Sequence, residues 1–356
     1  MLNDLHKQKP VDAVITWVDG SDPQHKERLE AYLSQIGGQR PPSAHPTRFN
    51  DAGEIDYCVI SLLRFAPWIR TIFIVTDQQA PQLMQKIVGT PYQDRIKIID
   101  HSEIFKHYED CLPTFNSNSI VAMLWRIPGL SEDFLFLNDD FFLIRALKVS
   151  DFFQGDKVVL RGQWHKMSDK LWYKKLAKYC KAFFVAAKQD DKPKRVSFLA
   201  GQELTAKLVG FKDRYFRLPH NPHPWKVSSL DRFFSANSHV LRNTIQCRLR
   251  SSEQFIGESL SAHLELINGN AIVNNQFKTL QIKPASQFTA ELKFRLWWAD
   301  SHKRYAFVCV QSLERGSIEK QAIVAKWLDK YIGNPDVFWK NNKFQSLNEK
   351  SSTQNA

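Results

Sequence analysis

Four apolar runs in the first half of the chain end in aspartate, and this feature constrains the fold most strongly. The runs are VDAVITWVDG with Asp19, TIFIVTD with Asp77, IKIID with Asp100, and DFLFLNDDFFL with Asp139 and Asp140. Uninterrupted apolar runs of this length are typical of central parallel strands that are covered on both faces. Because ligands bind at the carboxyl ends of such strands, the acids predict a binding site at one edge of the sheet.

Amphipathic segments between these runs predict helices. Asp22-Pro23 followed by HKERLEAYLSQIGG is typical of a capped helix that ends at glycines, and EIDYCVISLLRFAP of a helix that ends before Pro67. The alternation of strands and helices predicts an α/β fold with a mostly parallel, Rossmann-like sheet and helices on both faces. We expect residues 1–160 and 211–340 to form this α/β domain.

The remaining residues are expected to form a helical insertion at 161–210 and a disordered, polar tail at 341–356. Within the insertion, lysines alternate with Trp, Tyr and Phe at near-helical spacing. Residues 166–188 therefore suit an interfacial helix on an anionic membrane surface, or a groove for an anionic polymer. A solvated helix that packs on the core explains the same pattern equally well. Residues 317–332 predict a further helix that ends at Gly333.

The net charge limits the classes of partner. The chain has 356 residues and a formal net charge of +12. Such a surface attracts polyanions, whether nucleic acid, anionic lipid or phosphate-bearing substrates. The sequence has no zinc-finger, P-loop or glycine-rich dinucleotide motif, so we expect no nucleic-acid partner and no NAD.

Cysteine spacing and hydropathy predict the compartment. The five cysteines are widely spaced without a C-x-x-C pair, which argues against a disulfide framework or a zinc knuckle and indicates free thiols in a reducing environment. No segment approaches the roughly 20 apolar residues that span a bilayer. The polar start MLNDLHKQKP has no secretory core. We expect a cytoplasmic protein that lies, if anywhere on a membrane, peripherally at its inner face.

Asn138, Asp139 and Asp140 are the strongest candidates for chemistry. Adjacent carboxylates at a strand end are hard oxygen ligands for Mg²⁺ or Mn²⁺, which would neutralise a diphosphate. The alternative is that these acids only end a strand or cap a helix. The flanking residues FLFL and FFLI favour a functional role, because unpaired acids rarely lie inside an apolar segment.

Acids in two other segments have both functional and structural interpretations. Asp19 and Asp22, in WVDGSDP, could bind a ribose, a base or the metal ion, although Asp22 is equally well placed as a helix N-cap before Pro23. Arg48, Asp51 and Glu54, in RFNDAGEIDY, could form a structural ion network at the start of a helix.

Histidines and arginines in the second half complete the candidate set. His220 and His223, in HNPHPW, are expected in a loop that prolines hold rigid, where a histidine can take a hydroxyl proton at neutral pH. A structural or merely exposed role is the alternative. Arg248 and Arg250, in CRLRSSEQF, could bind phosphate oxygens with both guanidinium nitrogens, or could alternate along a surface strand. In a strand, only one of the two would point into a site.

Taken together, these segments resemble the Stealth family of hexose-1-phosphate transferases. The family includes bacterial capsular polysaccharide phosphotransferases and the animal N-acetylglucosamine-1-phosphotransferase that begins the mannose-6-phosphate tag. VDAVITWVDGSDP is similar to its first conserved region, and RFNDAGEIDYCVISLLRFAPWIRTIFIVTDQQAP, continuing through LPTFNSNSIVAMLWRIPGLSEDFLFLNDDFFL, to its second. HNPHPW and RLRSSEQF are similar to the third. The resemblance is dense over residues 11–145 and thin over 216–270.

The resemblance implies transfer of a sugar-1-phosphate from a UDP-sugar to a hydroxyl of a growing polysaccharide or glycan, with release of UMP. It implies a catalytic α/β domain with His220, Asp140 and Arg250 as catalytic residues. It also implies Mg²⁺ or Mn²⁺ bound by Asp139 and Asp140. The substrate-binding residues that it implies are Asp19, Arg48, Asp51, Glu54, Asn138 and His223.

One segment departs from the family pattern. The fourth conserved region usually has an Asn-Asp pair after a short apolar strand, whereas AFVCVQSLERGS has Gln311-Ser312 there. A carboxylate near the metal ion or the acceptor is therefore absent. Two other functions remain open at the level of sequence: a metal-dependent glycosyltransferase that releases UDP, and a basic surface-binding scaffold without enzymatic activity.

Overall fold

The computed structural model describes residues 9–38, 40–41, 44, 53–170 and 197–344. Its strands are β1 Val11–Thr16, β2 Ile69–Thr76, β3 Ile96–Asp100, β4 Asp133–Asn138, β5 Phe141–Leu143, β6 Phe153–Gln154, β7 Lys157–Leu160, β8 Gln163–Lys166, β9 Arg214–Arg217, β10 His223–Lys226, β11 Ala271–Val273, β12 Lys278–Ile282 and β13 Tyr305–Val310. Its helices are α1 Pro23–Gln35, α2 Glu54–Phe65, α3 Leu83–Lys86, α4 His101–Ile104, α5 Ser117–Val121, α6 Phe198–Leu208, α7 Val227–Ala236, α8 Ser238–Ile245, α9 Gly257–Ile267, α10 Thr289–Ser301, α11 Ile318–Ile332 and α12 Pro335–Asn341.

The central sheet has five strands in the order β10-β4-β1-β2-β3. β1 is parallel to β2 and β4, β2 is parallel to β3, and only β10 is antiparallel. Thr16 lies opposite Asn138 on one side and Val75 on the other, so the carboxyl ends of β1, β2 and β4 meet at one edge. The predicted mostly parallel α/β sheet is confirmed, with the four acid-terminated runs as neighbouring strands.

Both faces of this sheet are covered, which explains why its strands are apolar throughout. Ile15, Ile74 and Leu137 pack on one face with residues of α2. Val14 and Phe136 pack on the other face with residues of α7, α8 and α9. A strand that is buried on both faces has no position for a solvated side chain, so alternation with polar residues is lost.

A second sheet of three strands adjoins the first at the end of β4. Its order is β12-β13-β5, with β12 parallel to β13 and β5 antiparallel to it. α2 contacts β5 and also packs on the central sheet, so one apolar core spans both sheets. Two smaller sheets have the orders β11-β7-β6 and β8-β9.

Three predicted helices are present with the expected ends. α1 begins at Pro23, and the Asp22 carboxylate accepts hydrogen bonds from the backbone N–H groups of Gln24 and His25, so its capping role is confirmed. α2 ends just before Ala66-Pro67. α11 ends at Gly333, whose φ of 93° lies in the left-handed region that glycine adopts without strain.

The insertion expected at 161–210 is not wholly helical. It begins with β8, which pairs with β9, and it contains α6 near its end. The lysine-aromatic segment falls largely on residues 171–196, which lie outside the described residues, and so does the tail from 345. Residues 341–344 are attached to the domain, since the Phe344 N–H donates to the Gly89 carbonyl oxygen at 2.7 Å. Among the described helices, none has the length and hydropathy of a bilayer-spanning segment.

Candidate active site

The Asp139-Asp140 turn lies at the junction of the two large sheets. β4 ends at Asn138, and after the turn the chain enters β5 of the second sheet at Phe141. The Val310 N–H, at the end of β13, donates to the Asp140 carbonyl oxygen at 3.1 Å. The apolar residues before and after the acids therefore belong to buried strands of two different sheets. The acids lie in the turn that joins these sheets, which we call the seam.

Asp140 has an environment that disfavours an unpaired negative charge. Burial raises the pKa of its carboxyl to about 7, and the Cys309 thiol donates to Oδ2 at 3.6 Å. No lysine, arginine or histidine of the described chain forms an ion pair with Asp140. A cation bound beside this carboxyl would stabilise its ionised form.

The donor set fits Mg²⁺ better than zinc. Within the described ranges, no three His, Cys, Asp or Glu side chains are grouped as a preformed metal site. Mg²⁺ is usually held by one or two carboxylates, and water and substrate phosphates complete its coordination, whereas structural zinc needs four protein ligands. The pair Asp139 and Asp140 matches the first pattern, and metal binding by these residues stays a prediction.

Neighbouring strand ends fix two further predicted residues. The Thr16 hydroxyl donates to Asn138 Oδ1 at 3.4 Å, which orients the amide between β1 and β4. The Asp19 carboxylate accepts from the Ser21 N–H at 2.7 Å. The Asp19 N–H donates to Gln79 Oε1, and the Gln79 amide donates to the Asp19 carbonyl oxygen, both at 2.9 Å. Gln79 was missed from the sequence because its role depends on the pairing of β1 with β2.

Asp77, one of the predicted strand-end acids, is buried at the end of β2 among basic residues that were not assigned from the sequence. Arg28 Nη2 donates to Asp77 Oδ2 at 2.9 Å, and the Nδ1 atoms of His25 and His101 each lie 4.0 Å from this carboxylate. Burial lowers the pKa of both histidines. The Arg28 guanidinium therefore supplies the charge that balances Asp77.

Glu54 lies in the first turn of α2 and is buried. Arg48 and Asp51, its predicted neighbours, lie outside the described residues, so the proposed network of the three stays a prediction.

His220 contacts the residue that follows Asp140. Its ring lies edge-to-face with Phe141, with centroids 6.2 Å apart, and stacks on Phe198 at 4.8 Å. Burial, followed by the nearby charges of Lys283 and Arg217, lowers the pKa of His220 to about 4. The imidazole is therefore neutral at neutral pH and can accept a proton.

A cleft of about 600 Å³ opens beside His220. Phe198, which stacks on the imidazole, also lines it. The charged side chains of its described lining are all cationic: Arg161, Arg217, Lys278 and Lys283. Sequence patterns gave no sign of this set, because its members come from segments far apart in the chain.

His223 is not in a loop, contrary to the prediction. It begins β10, pairs with Phe136 of β4, and is only 4% exposed. Burial lowers its pKa to about 3. The predicted loop is limited to the residues before His223. Binding of substrate by His223 stays a prediction.

The arginines of CRLRSSEQF are also not on a strand, so the alternative of a surface strand with alternating arginines is wrong. They lie in an irregular segment between α8 and α9. The Arg248 guanidinium lies 5.5 Å over the Tyr32 ring and donates to the Asp110 carbonyl oxygen at 3.1 Å, which is a structural role. Arg250 donates to the Ser117 hydroxyl at the start of α5. A catalytic role of Arg250 stays a prediction.

Two conserved-region models match the chain. Residues 9–37 match Stealth protein CR1, conserved region 1, and residues 48–160 match Stealth protein CR2, conserved region 2. The two regions include β1, α2, β2, β3, β4 and the Asp139-Asp140 turn.

Several bacterial relatives are similar to the same part of the chain. A capsular polysaccharide phosphotransferase of Actinobacillus suis is 41% identical over 155 residues, which cover 43% of this chain and 40% of the relative. One of Haemophilus influenzae is 32% identical over 243 residues, covering 68% and 61%. An exopolysaccharide phosphotransferase of Streptomyces coelicolor is 45% identical over 145 residues, covering 40% and 15%. The chain thus spans less than two thirds of each of these relatives.

The solved structures of glycosyltransferases are less similar to this chain than the bacterial relatives are. The galactosyltransferase LgtC aligns over 90% of this chain and 95% of its own, with a TM-score of 0.41 and 11% identity. The bifunctional glycosyltransferase WbbM aligns over 97% and 53%, with a TM-score of 0.44 and 10% identity. These TM-scores are too low to bear on activity, and the α/β assignment rests on the strand register.

Proposed function

We propose that this chain, which matches conserved regions 1 and 2 of Stealth proteins, transfers a sugar-1-phosphate from a UDP-sugar to an acceptor hydroxyl. The products would be a phosphodiester and UMP. The acceptor would be a growing polysaccharide or glycan, because the relatives are named capsular and exopolysaccharide phosphotransferases. The observation that carries the proposal is the contact between Phe141 and His220, which holds a neutral imidazole beside the Asp139-Asp140 turn.

The reaction requires one proton acceptor and one site for negative charge. The acceptor oxygen attacks the sugar-linked phosphorus, the bond from that phosphorus to the UMP oxygen breaks, and the anomeric C–O bond stays intact. Phosphoryl transfer depends mainly on positioning and charge neutralisation. His220 would take the hydroxyl proton, because its neutral imidazole has a free ring nitrogen. Negative charge on the bound substrates would raise its pKa toward the operating pH, where a general base is most efficient.

Asp139 and Asp140 would hold Mg²⁺ or Mn²⁺. When bound, this ion would neutralise charge on the donor diphosphate. Asp19 and Asn138, fixed at the ends of β1 and β4, would orient the donor. The other proposed substrate-binding or catalytic residues are Arg48, Asp51, Glu54, His223 and Arg250.

Two alternatives make different predictions. A metal-dependent glycosyltransferase would break the anomeric bond and release UDP, and a scaffold would release no nucleotide. The names of the relatives favour phosphotransfer. A scaffold needs no histidine beside paired carboxylates. Chromatography of the nucleotide released from a panel of UDP-sugars separates the three functions.

We also propose that the enzyme works at an anionic membrane surface on the cytoplasmic side, and α10 supports this. Leu292, Leu296 and Ala299 are buried in the core. Because a helix turns by about 100° per residue, Phe294, Trp297 and Trp298 lie on the opposite face, where they are 56%, 57% and 41% exposed. A helix that is apolar on opposite faces is usually covered on both.

The residues around the exposed aromatic face of α10, formed by Phe294, Trp297 and Trp298, indicate that this face contacts lipid. Lys293 and Arg295 flank it and lie 3.8 Å from Glu319 and 3.4 Å from Glu291, respectively. The exposed Lys303 and Arg304, which have no acid partner among the described residues, follow the end of α10. Tryptophan and phenylalanine bordered by basic residues are typical of helices that lie in the interface of an anionic bilayer. The membrane surface predicted at 166–188 lies mostly outside the described residues and stays a prediction, and the face of α10 is a second candidate.

A further inference from the structure

We propose that the cleft beside His220 binds an anionic acceptor, namely a glycan that carries phosphodiester or carboxylate groups near the attacking hydroxyl. This inference rests on the proposed function for the identification of the ligand as the acceptor. Its volume of about 600 Å³ lies within the range of sites for small ligands, so it can hold the terminal part of such a glycan.

The charges of the cleft are unbalanced. Four cationic side chains line it, Arg161, Arg217, Lys278 and Lys283, and its described lining has no aspartate or glutamate. None of the four forms an ion pair with an acid of the described residues. Two buried or half-buried cations elsewhere do have such partners: Lys226 lies 2.6 Å from Asp133, and Arg28 lies 2.9 Å from Asp77. Of the four cleft cations, only Arg161 is buried and still lacks an acid partner, whereas Arg217, Lys278 and Lys283 are exposed and add positive charge to the wall of the cleft.

Arg161 is the clearest member of this set. It is 5% exposed, and its guanidinium lies 5.0 Å from the Phe152 ring centroid and 4.9 Å from that of Phe307. One N–H of Nη2 donates to the Asp151 carbonyl oxygen at 2.7 Å, while Nε and Nη1 have no hydrogen-bond partner among the described residues. Buried polar groups are normally satisfied, and a planar guanidinium is suited to phosphate or carboxylate oxygens.

The position of His220 links the cleft to the acceptor rather than to the donor. The imidazole contacts Phe141 next to the Asp139-Asp140 turn, and it also stacks on Phe198, which lines the cleft. The base thus stands between the proposed donor phosphate site and the cleft. A hydroxyl that gives its proton to His220 enters from the cleft, together with the anionic group of the same molecule.

The replacement of an Asn-Asp pair by Gln311-Ser312 agrees with the binding of an anionic acceptor in the cleft. The Gln281 amide, which lines the cleft, donates to Gln311 Oε1 at 3.0 Å. In the pattern that the resemblance implies, an Asn-Asp pair would stand at positions 311 and 312, next to this contact. With Gln311-Ser312 in its place, the described residues at this edge of the cleft carry no negative charge that would repel an anionic glycan.

Binding of two matched probes tests the proposal without the donor. The first probe is a fluorescent oligosaccharide of six glucose units joined by phosphodiesters, and the second is a neutral maltohexaose with the same label. Fluorescence anisotropy at fixed ionic strength should give a Kd at least about tenfold lower for the anionic probe, as hydrogen bonds to charged groups predict. Equal affinity for both probes would overturn the proposal.

Charge variants locate the binding. Lys283→Gln and Arg217→Gln, which alter the cleft wall, should each weaken binding of the anionic probe about tenfold and leave that of the neutral probe unchanged. Lys326→Gln, at an exposed position of α11, makes the same change in net charge and should have no effect. Equal losses in all three variants would mean that binding follows overall charge, and the proposal would be wrong.

Steady-state kinetics distinguish the acceptor from the donor as the source of the anion. Lys283→Gln should raise the KM of a phosphodiester-containing acceptor about tenfold and leave the KM of the UDP-sugar unchanged. A rise in the donor KM alone would assign the cations to the donor diphosphate and refute the inference. Release of UDP instead of UMP would refute the proposed function but not the binding of an anionic glycan in this cleft.

Discussion

The ring of Phe141 holds the imidazole of His220 at the seam between the two large sheets, with the ring centroids 6.2 Å apart. Phe141 itself is fixed, because it is buried and begins the strand that pairs with β13. Since Asp140 immediately precedes Phe141, one short segment determines the positions of both the proposed metal ligand and the proposed base.

His220→Ala should lower kcat by about 10²–10⁴-fold, because positioned general bases typically contribute that much. The melting temperature should change little, since no hydrogen bond of the His220 side chain to the described residues is lost. His239→Ala, an exposed substitution on α8, is the control and should keep full activity. A loss below about threefold for His220→Ala would assign the base to another residue.

Asp140→Ala should remove most turnover while the domain stays folded, because the variant removes a proposed metal ligand. EDTA should stop the wild-type reaction, and added Mg²⁺ or Mn²⁺ should restore it. Asp94→Ala, at an exposed position before β3, serves as the control for loss of one carboxylate. Undiminished turnover of Asp140→Ala in EDTA would exclude the proposed metal site.

The buried His223 should make the fold sensitive to acid. Its pKa is about 3 in the folded chain and about 6.5 when exposed on unfolding, so the unfolded state binds more protons between these values. Its contribution to stability is present above pH 6.5 and is lost as the pH falls toward 3, by up to about 1.4 kcal/mol per pH unit.

Urea unfolding at pH 7.5, 6.0 and 5.0 measures this dependence. His223→Gln should flatten the loss of unfolding free energy with acid, whereas His239→Gln should not. An identical pH slope in the wild type and His223→Gln would show that other groups cause the acid sensitivity.

The aromatic face of α10 should bind anionic vesicles. In flotation assays with vesicles of phosphatidylglycerol and phosphatidylcholine, the wild type should float, and the Trp297→Ser/Trp298→Ser variant should lose most of this binding. Neutral phosphatidylcholine vesicles should bind weakly, since they offer no anionic headgroups to the exposed cations Lys303 and Arg304. Val337→Ser, at an exposed apolar position on α12, is the control. Equal and negligible flotation with both vesicle types would refute membrane binding.

The sheet could be predicted from the sequence because its signal is local. Each strand of the parallel core is a continuous apolar run, and burial on both faces requires this wherever the strand lies in the sheet. The caps of α1 and α11 are equally local: Asp22 bonds to the next two residues beyond Pro23, and Gly333 ends its own helix.

β10 could not be predicted because its two-proline surroundings are typical of a loop. Pro224 cannot donate a hydrogen bond to a sheet, but β10 is an edge strand, where a missing N–H is tolerated. The other site residues missed in the sequence analysis depend on contacts between segments far apart in the chain. Gln79 reaches Asp19 only because β1 pairs with β2, and Arg161 lies between Phe152 and Phe307 only after the sheets assemble.

The nucleotide product tests the central claim most directly. Purified protein is incubated with a panel of UDP-sugars, a glycan acceptor and Mg²⁺, and the products are analysed by nucleotide chromatography and ³¹P NMR. Attack at the sugar-linked phosphorus predicts one UMP for each transfer, a new phosphodiester resonance, and an unchanged anomeric configuration of the transferred sugar. Stoichiometric UDP, with no phosphorus in the new linkage, would contradict the proposed phosphotransfer and leave the fold unaffected.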